Sequence, residues 1–323
     1  MKKNIILLLT AMLISSCISA CSLKETNPEK IEIVTTISPE YDWVKNILGD
    51  NPANADVSLL LNNGVDLHSY QPTASDIMKI STCDLFIYVG GESDEWVSDA
   101  LKEAVNKDMI VINLLDSLGD AVKEEEIVEG MQAEEEGEED TEEEPEYDEH
   151  VWLSLNNASC LVNTISLAIQ QIDSENADIY KNNTASYVEK LKELDSKYQT
   201  VVSNAVNKTL LFGDRFPFRY LVNDYGLSYY AAFVGCSAET EASFETITFL
   251  SKKVDELNLH AVLTIEGNNH KIANTIVENT SSKDAKILTM DSMQSVTSKD
   301  LENGTAYLSV MEKNLFVLEE ALR

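Results

Sequence analysis

Short apolar runs alternate with amphipathic segments in two separate series. This pattern predicts an α/β fold of two lobes, each a parallel sheet flanked by helices, joined by a long rigid helix. In the first series the strand-like runs are residues 31–35, 57–61, 85–89 and 109–114, with helical segments at 41–48, 74–80 and 95–105 between them. The second series has strand-like runs at 209–212, 229–233, 261–265 and 287–290, separated by helical segments at 243–257 and 271–279. Between the two, Tyr187, Leu191, Leu194, Tyr198 and Val201 recur at steps of four and three in a stretch free of Gly and Pro. That spacing puts one apolar stripe on a long helix, the expected spine between the lobes. Residues 306–322 close the chain as a further helix, with Tyr307, Met311, Leu315 and Leu318 on one face.

The amino terminus reads as a leader. Lys2 and Lys3 precede an apolar run at residues 5–14, far shorter than the roughly 20 residues of a membrane-spanning helix. The run ends in Ile18, Ser19, Ala20 and Cys21, which resembles the lipobox of bacterial lipoproteins; Cys17 is the alternative attachment point. The expected organisation is a signal peptide at 1–20, a lipid-anchored tether at 21–30, an amino-terminal lobe at 31–176, a linking helix at 177–206 and a carboxyl-terminal lobe at 207–323. The lipid would hold the mature chain at the extracytoplasmic face of the cell membrane.

The formal net charge is −32, and it is concentrated. Residues 124–149 hold sixteen Asp and Glu and no Lys or Arg, so a mobile acidic loop is expected over 121–149. Such a surface argues against nucleic acid, whose phosphates need basic clusters, and favours cations. An acidic loop would also raise the local cation concentration by long-range attraction, an effect that salt screens.

Beyond the leader the cysteines are Cys83, Cys160 and Cys236, with no CxxC spacing. A thiolate zinc site is therefore not expected. Cys83 borders an apolar strand and reads as a core residue, while Cys160 and Cys236 would pair only if the fold brought them together. Of the four histidines, His68 lies in GVDLHSYQPT and His150 in DEHVWLS, both in carboxylate-rich company suited to a divalent cation. His260 enters an apolar strand and His270 begins a helix, so neither is favoured as a ligand. In open α/β sheets ligands collect at the carboxyl ends of strands. His68, Asp214, Arg215, Glu266 and Asp291 all follow or end predicted strands. Asp66 and Asp76 either orient His68 or cap turns, and Tyr70 is expected to pack near the site.

GVDLHSYQPTASDI followed by CDLFIYVGG, then DEHVWLSLNNA, AETEAS at 238–243 and LTMDS, resemble in order the motifs of the zinc and manganese substrate-binding proteins of ABC importers. The resemblance implies two lobes about a rigid helix, a buried metal in the cleft, no catalysis, and a membrane permease as partner of a monomeric receptor. It assigns His68, His150 and Asp291 as metal ligands. The third ligand departs from the pattern. Where zinc-binding members have a histidine and manganese-binding members a carboxylate, GDRFPFRYLVNDYGL places Arg215, which cannot bind a cation. Asp214, Glu266, water or a carboxylate of the acidic loop is the substitute, and Arg215 is left to pair with a site carboxylate. The family's loop before the second ligand motif is usually histidine-rich; here it is acidic.

Capture of Zn²⁺, with Mn²⁺ as the alternative, is thus the expected function, and affinity is expected to fall as pH drops through the histidine range. A metal-dependent extracellular hydrolase is the competing reading, without HExxH or GxSxG in its support. A surface adhesin on the same fold is the other alternative.

Overall fold

The computed structural model describes residues 30–132, 146–237, 241–267 and 270–323. The leader, the proposed attachment cysteines and the middle of the acidic loop lie outside the described residues. Residues 31–323 form one compact unit.

The first sheet contains β1 (Glu32–Thr35), β2 (Asp56–Leu59), β3 (Leu85–Tyr88) and β4 (Ile110–Asn113), in the order β2-β1-β3-β4. Every pairing is parallel. Helices α1 (Ser38–Leu48), α2 (Ala74–Thr82), α3 (Val97–Lys102) and α4 (Leu114–Leu118) connect the strands or follow the last of them, and α5 (Leu155–Ile172) packs beside α1 and α4. Then comes α6 (Ala177–Asn204), 28 residues long, a span of about 42 Å. The second sheet holds β5 (Thr209–Phe216), β6 (Ser228–Val234), β7 (Ala261–Thr264) and β8 (Lys286–Thr289), in the order β6-β5-β7-β8 and again all parallel. Helices α7 (Arg219–Tyr225), α8 (Phe244–Leu257) and α9 (Lys271–Asn279) connect these strands, and α10 (Ser298–Glu302) and α11 (Tyr307–Ala321) end the chain. The two sheets therefore repeat one strand order.

The periodicities explain the packing. On α6 the stripe Tyr187, Leu191, Leu194 and Tyr198 is buried as expected, but it continues to Val202 while Val201 is only half-buried. A helix turns 100° per residue, so position 202, four beyond Tyr198, stays in the stripe better than 201. This face meets α1, α5 and α11. Tyr198 anchors it by donating its hydroxyl to the Met311 carbonyl at 2.6 Å. Strand β5 runs four residues beyond the apolar pattern because Arg215 and Phe216 resume pairing with β6 past a bulge that contains Gly213 and Asp214. The segment read as helical over 95–105 forms only α3, at 97–102; the chain leaves the helix to seat the 105 and 106 amides on Ser81.

Direct contacts tie the two sheets' layers together around the cleft. Trp152 Nε1–H donates to the Ser292 carbonyl at 2.8 Å, and the Tyr307 hydroxyl donates to the Trp152 carbonyl at 2.6 Å. Ser38 Oγ–H reaches the Met293 carbonyl, and Asn63 forms an antiparallel bridge with Thr297. Leaving a buried carbonyl without its donor costs about 1–3 kcal/mol. Tyr307→Phe is accordingly expected to lower unfolding free energy by about that amount, read from urea denaturation; an unchanged midpoint would show that the bond contributes nothing.

Candidate metal centre

His68 sits on a single 3₁₀ turn, Leu67–Ser69, after β2. Asp66 starts this turn, its Oδ1 accepting the His68 amide hydrogen at 3.1 Å. His150 is reached through the end of the acidic loop and begins the turn Val151–Leu153. That end is fixed. Glu124 bridges Tyr147, the Glu125 amide donates to the Glu146 carbonyl, and the Asp148 amide donates to the Lys123 carbonyl. Glu126 pairs with Arg219 at 3.2 Å, and the Tyr220 hydroxyl donates to the Asp148 carbonyl at 2.7 Å. Both described ends of the acidic segment thus carry hydrogen bonds, and Asp148, Glu149 and His150 are buried.

These supports bring His68 Nε2 to 3.2 Å from His150 Nε2. Tetrahedral coordination with metal–nitrogen bonds of about 2.0–2.1 Å sets two imidazole ligands about 3.3 Å apart. The other ring nitrogens are held from behind. His150 Nδ1 lies 3.0 Å from Asp148 Oδ1, and His68 Nδ1 lies 2.8 Å from Ser93 Oγ and 3.5 Å from Glu149 Oε2. An acceptor behind each ring stabilises the Nδ1–H tautomer, which leaves Nε2 with a free lone pair for a cation. Glu149 is itself positioned by the Ser93 amide, which donates to its Oε1 at 2.8 Å. Gly91 permits this approach: it has φ +81°, and a Cβ there would fall 2.4 Å from Glu149 Oε1.

A third donor belongs to the cluster. Among the described residues, ligand atoms of His68, His150 and Cys236 all lie within 4.8 Å of one another. Cys236 follows β6, and Gly235 beside it packs so closely on His150 that a Cβ would stand 2.9 Å from its Cε1. CxxC spacing does not single out Cys236; its signal in the sequence is its position just past an apolar strand, where the chain reads VGCS. It is a free thiol, as are buried Cys83 and exposed Cys160, so no Cys160–Cys236 pair forms.

The other candidate carboxylates are engaged elsewhere. Asp214 accepts the Arg215 amide at 2.9 Å and the Ile265 amide at 3.3 Å, lacing β5 to the end of β7. Glu266 accepts from the amides of Ser292 and Gln294 and from Ser292 Oγ, shaping the loop after β8. Asp291 Oδ1 accepts the Met293 amide hydrogen, and Asn314 holds the Asp291 backbone. None of the three is in the donor cluster with His68 and His150. Arg215 pairs with a carboxylate, as the sequence suggested: its Nη2 lies 2.6 Å from Asp66 Oδ2, and its Nη1 reaches the Ser237 carbonyl at 3.3 Å. Asp76 caps α2 and accepts the Tyr70 hydroxyl, so it serves the turn rather than His68. His260 is exposed, and His270 stands at the amino terminus of α9. The AETEAS segment lies partly outside the described residues.

Burial dominates the electrostatics. Desolvation, reinforced by neighbouring His150, pulls His68 well below the ordinary imidazole range, so His68 stays neutral and open to a cation at pH values where an exposed histidine is protonated. Burial lifts Glu149 to about 7 and Asp94 to about 6. At Asp66 burial acts upward, but the charge and hydrogen bonds of Arg215 prevail and the carboxyl titrates below its usual value.

The sequence matches the family described as "ZnuA: Zinc-uptake complex component A periplasmic" over residues 33–321. The chain belongs to this family. It is 30% identical over 331 residues to the zinc-binding protein AdcA of Streptococcus pyogenes serotype M6, an alignment covering 98% of this chain and 61% of that protein. The chain thus spans about three fifths of the length of such relatives. The high-affinity zinc uptake system protein ZnuA of Bacillus subtilis is 29% identical, with 92% and 89% covered. The solved Zn(II)-bound ZnuA-like domain of Streptococcus pneumoniae AdcA matches with a TM-score of 0.69 at 30% identity, over 91% of this chain and 99% of that domain. Family membership and the two parallel-sheet lobes agree with the fold class read from the sequence.

A raised carboxyl pKa makes stability depend on pH in a definite sense. Asp94 binds its proton below about pH 6 when folded but only below about 4 when unfolded. Its burial therefore destabilises the fold fully above pH 6, and the penalty disappears as pH falls toward 4. The melting-temperature gain of Asp94→Asn over wild type in the metal-free protein should shrink as pH falls from 7.5 to 5. The difference between wild type and variant isolates this group from His68, whose lowered pKa acts in the opposite sense, and parallel profiles would contradict the assignment.

Proposed function

We propose that this protein is an extracytoplasmic receptor that captures Zn²⁺ in the cleft through His68 and His150 and delivers it to the permease of an ABC importer. The observation that carries the reading is the pair of Nε2 atoms at 3.2 Å, each ring backed by an acceptor at Nδ1. Family membership supports the transport role. Two borderline imidazole donors favour Zn²⁺ over the harder Mn²⁺, in keeping with the general affinity order at mixed sites. The receptor acts by binding, as a monomer without turnover, and is held at the membrane through lipid on Cys21; no described helix is long and apolar enough to cross a bilayer.

His68→Ala and His150→Ala should each weaken Zn²⁺ binding by more than the 10–100-fold typical of changes behind the ligands, measured by competition with a chromophoric chelator. Stoichiometric zinc retained by both variants would overturn the site. Residues 133–145 contain nine acids and no base. Removing them is expected to slow zinc association at low ionic strength and to leave it unchanged at high salt, where screening already operates; equal rates under both conditions would remove the loop from the capture step.

A further inference from the structure

We infer that Cys236 supplies a thiolate as the third protein ligand, so that the cargo site is a two-imidazole, one-thiolate site selective for thiophilic divalent cations. The inference deepens the receptor reading and rests on it. Three observations lead to it independently of the family pattern. The Cys236 Sγ and the two histidine nitrogens form the donor cluster within 4.8 Å described above. Gly235 brings this segment against His150 at a distance that no larger residue allows. Finally, the turn carrying the thiol is held from the other side, since Arg215 Nη1–H donates to the Ser237 carbonyl while Nη2 pairs with Asp66, which starts the His68 turn.

Arg215 thus has a different task from the ligand expected at its position. One guanidinium ties the strand-end turn that presents the thiol to the turn that presents an imidazole, and contributes no donor atom. The thiol comes from the neighbouring strand end, three residues beyond Phe233, the β6 register partner of Arg215. Metal–sulfur bonds of about 2.3 Å with metal–nitrogen bonds of about 2.0–2.1 Å place sulfur about 3.5 Å from each nitrogen, a closure of roughly 1 Å from the outer limit of the cluster, within reach of side-chain rotation. On binding, the S–H bond is replaced by a metal–sulfur bond and the proton leaves to solvent, one per ion. Thiolate is a soft donor and selects zinc-like ions over Mn²⁺, which prefers oxygen.

Co²⁺ titration of the full chain tests this, because thiolate ligation gives cobalt a near-ultraviolet charge-transfer band that imidazole and carboxylate do not. The expected result is one Co²⁺ per chain with that band, lost in Cys236→Ser together with a fall of tenfold or more in the Zn²⁺:Mn²⁺ affinity ratio. A second measurement needs no variant: bound Zn²⁺ should protect Cys236, but not exposed Cys160, from alkylation mapped by peptide mass. Stoichiometric cobalt without the band, an unchanged ratio in Cys236→Ser, or alkylation of Cys236 unaffected by zinc would overturn the thiolate and leave the histidine receptor standing. Absence of metal binding in the wild type would remove both.

Discussion

Two imidazole nitrogens facing each other at 3.2 Å repel unless something positive lies between them. A proton shared between the two Nε2 atoms can serve, and both Nδ1 atoms then keep their hydrogens, but the pair then carries a buried positive charge. Behind the rings, Asp148 Oδ1 lies 3.0 Å from His150 Nδ1 and Ser93 Oγ lies 2.8 Å from His68 Nδ1, with Glu149 Oε2 further off at 3.5 Å. In the proposed receptor a cation takes that place at the front of the two rings. Burial holds His68 neutral, and the carboxylates of Asp148 and Glu149 stand behind the rings.

Holding such a pair requires rigidity on both sides. The long helix α6 fixes the spacing of the lobes through a continuous apolar stripe, and the cleft is stitched by Trp152, Tyr307 and Tyr220, whose polar atoms all find backbone partners across it. Arg215 adds a charged link at 2.6 Å between turns of different lobes. A partly buried bidentate cation between two turns is worth more as a positioning device than as net stability, since desolvation offsets much of the attraction. Its value here is geometric: it keeps the His68 turn and the Cys236 turn in one place.

Much of this was readable in the residue pattern. The eight strands follow from apolar runs bounded by polar turns, and all fall within one to four residues of the expected limits. The helix over 271–279 matches the spacing of its apolar residues, and the spine follows from a stripe at steps of three and four. What the pattern left unread has specific causes. Strand β5 extends through Asp214 and Arg215 because hydrogen bonding to β6 across a bulge overrides their polarity. The acidic segment was read from composition alone, which reports self-repulsion but not the bonds from Lys123, Glu125 and Tyr220 that pin its ends.

By itself the sequence determined the fold class, the repeat of two parallel sheets, the family motifs and the two histidines, because each depends on local periodicity or on short contiguous runs. Only the tertiary structure decided which groups stand with those histidines. Asp214, Glu266 and Asp291 each lie at a strand end, as Cys236 does; neighbouring amides engage both oxygens of Asp214 and Glu266 and one of Asp291, while Gly235 lets the Cys236 turn approach the His150 ring. Whether a donor atom is free or already bound by a neighbouring N–H is a property of contacts between distant segments, and no spacing along the chain encodes it.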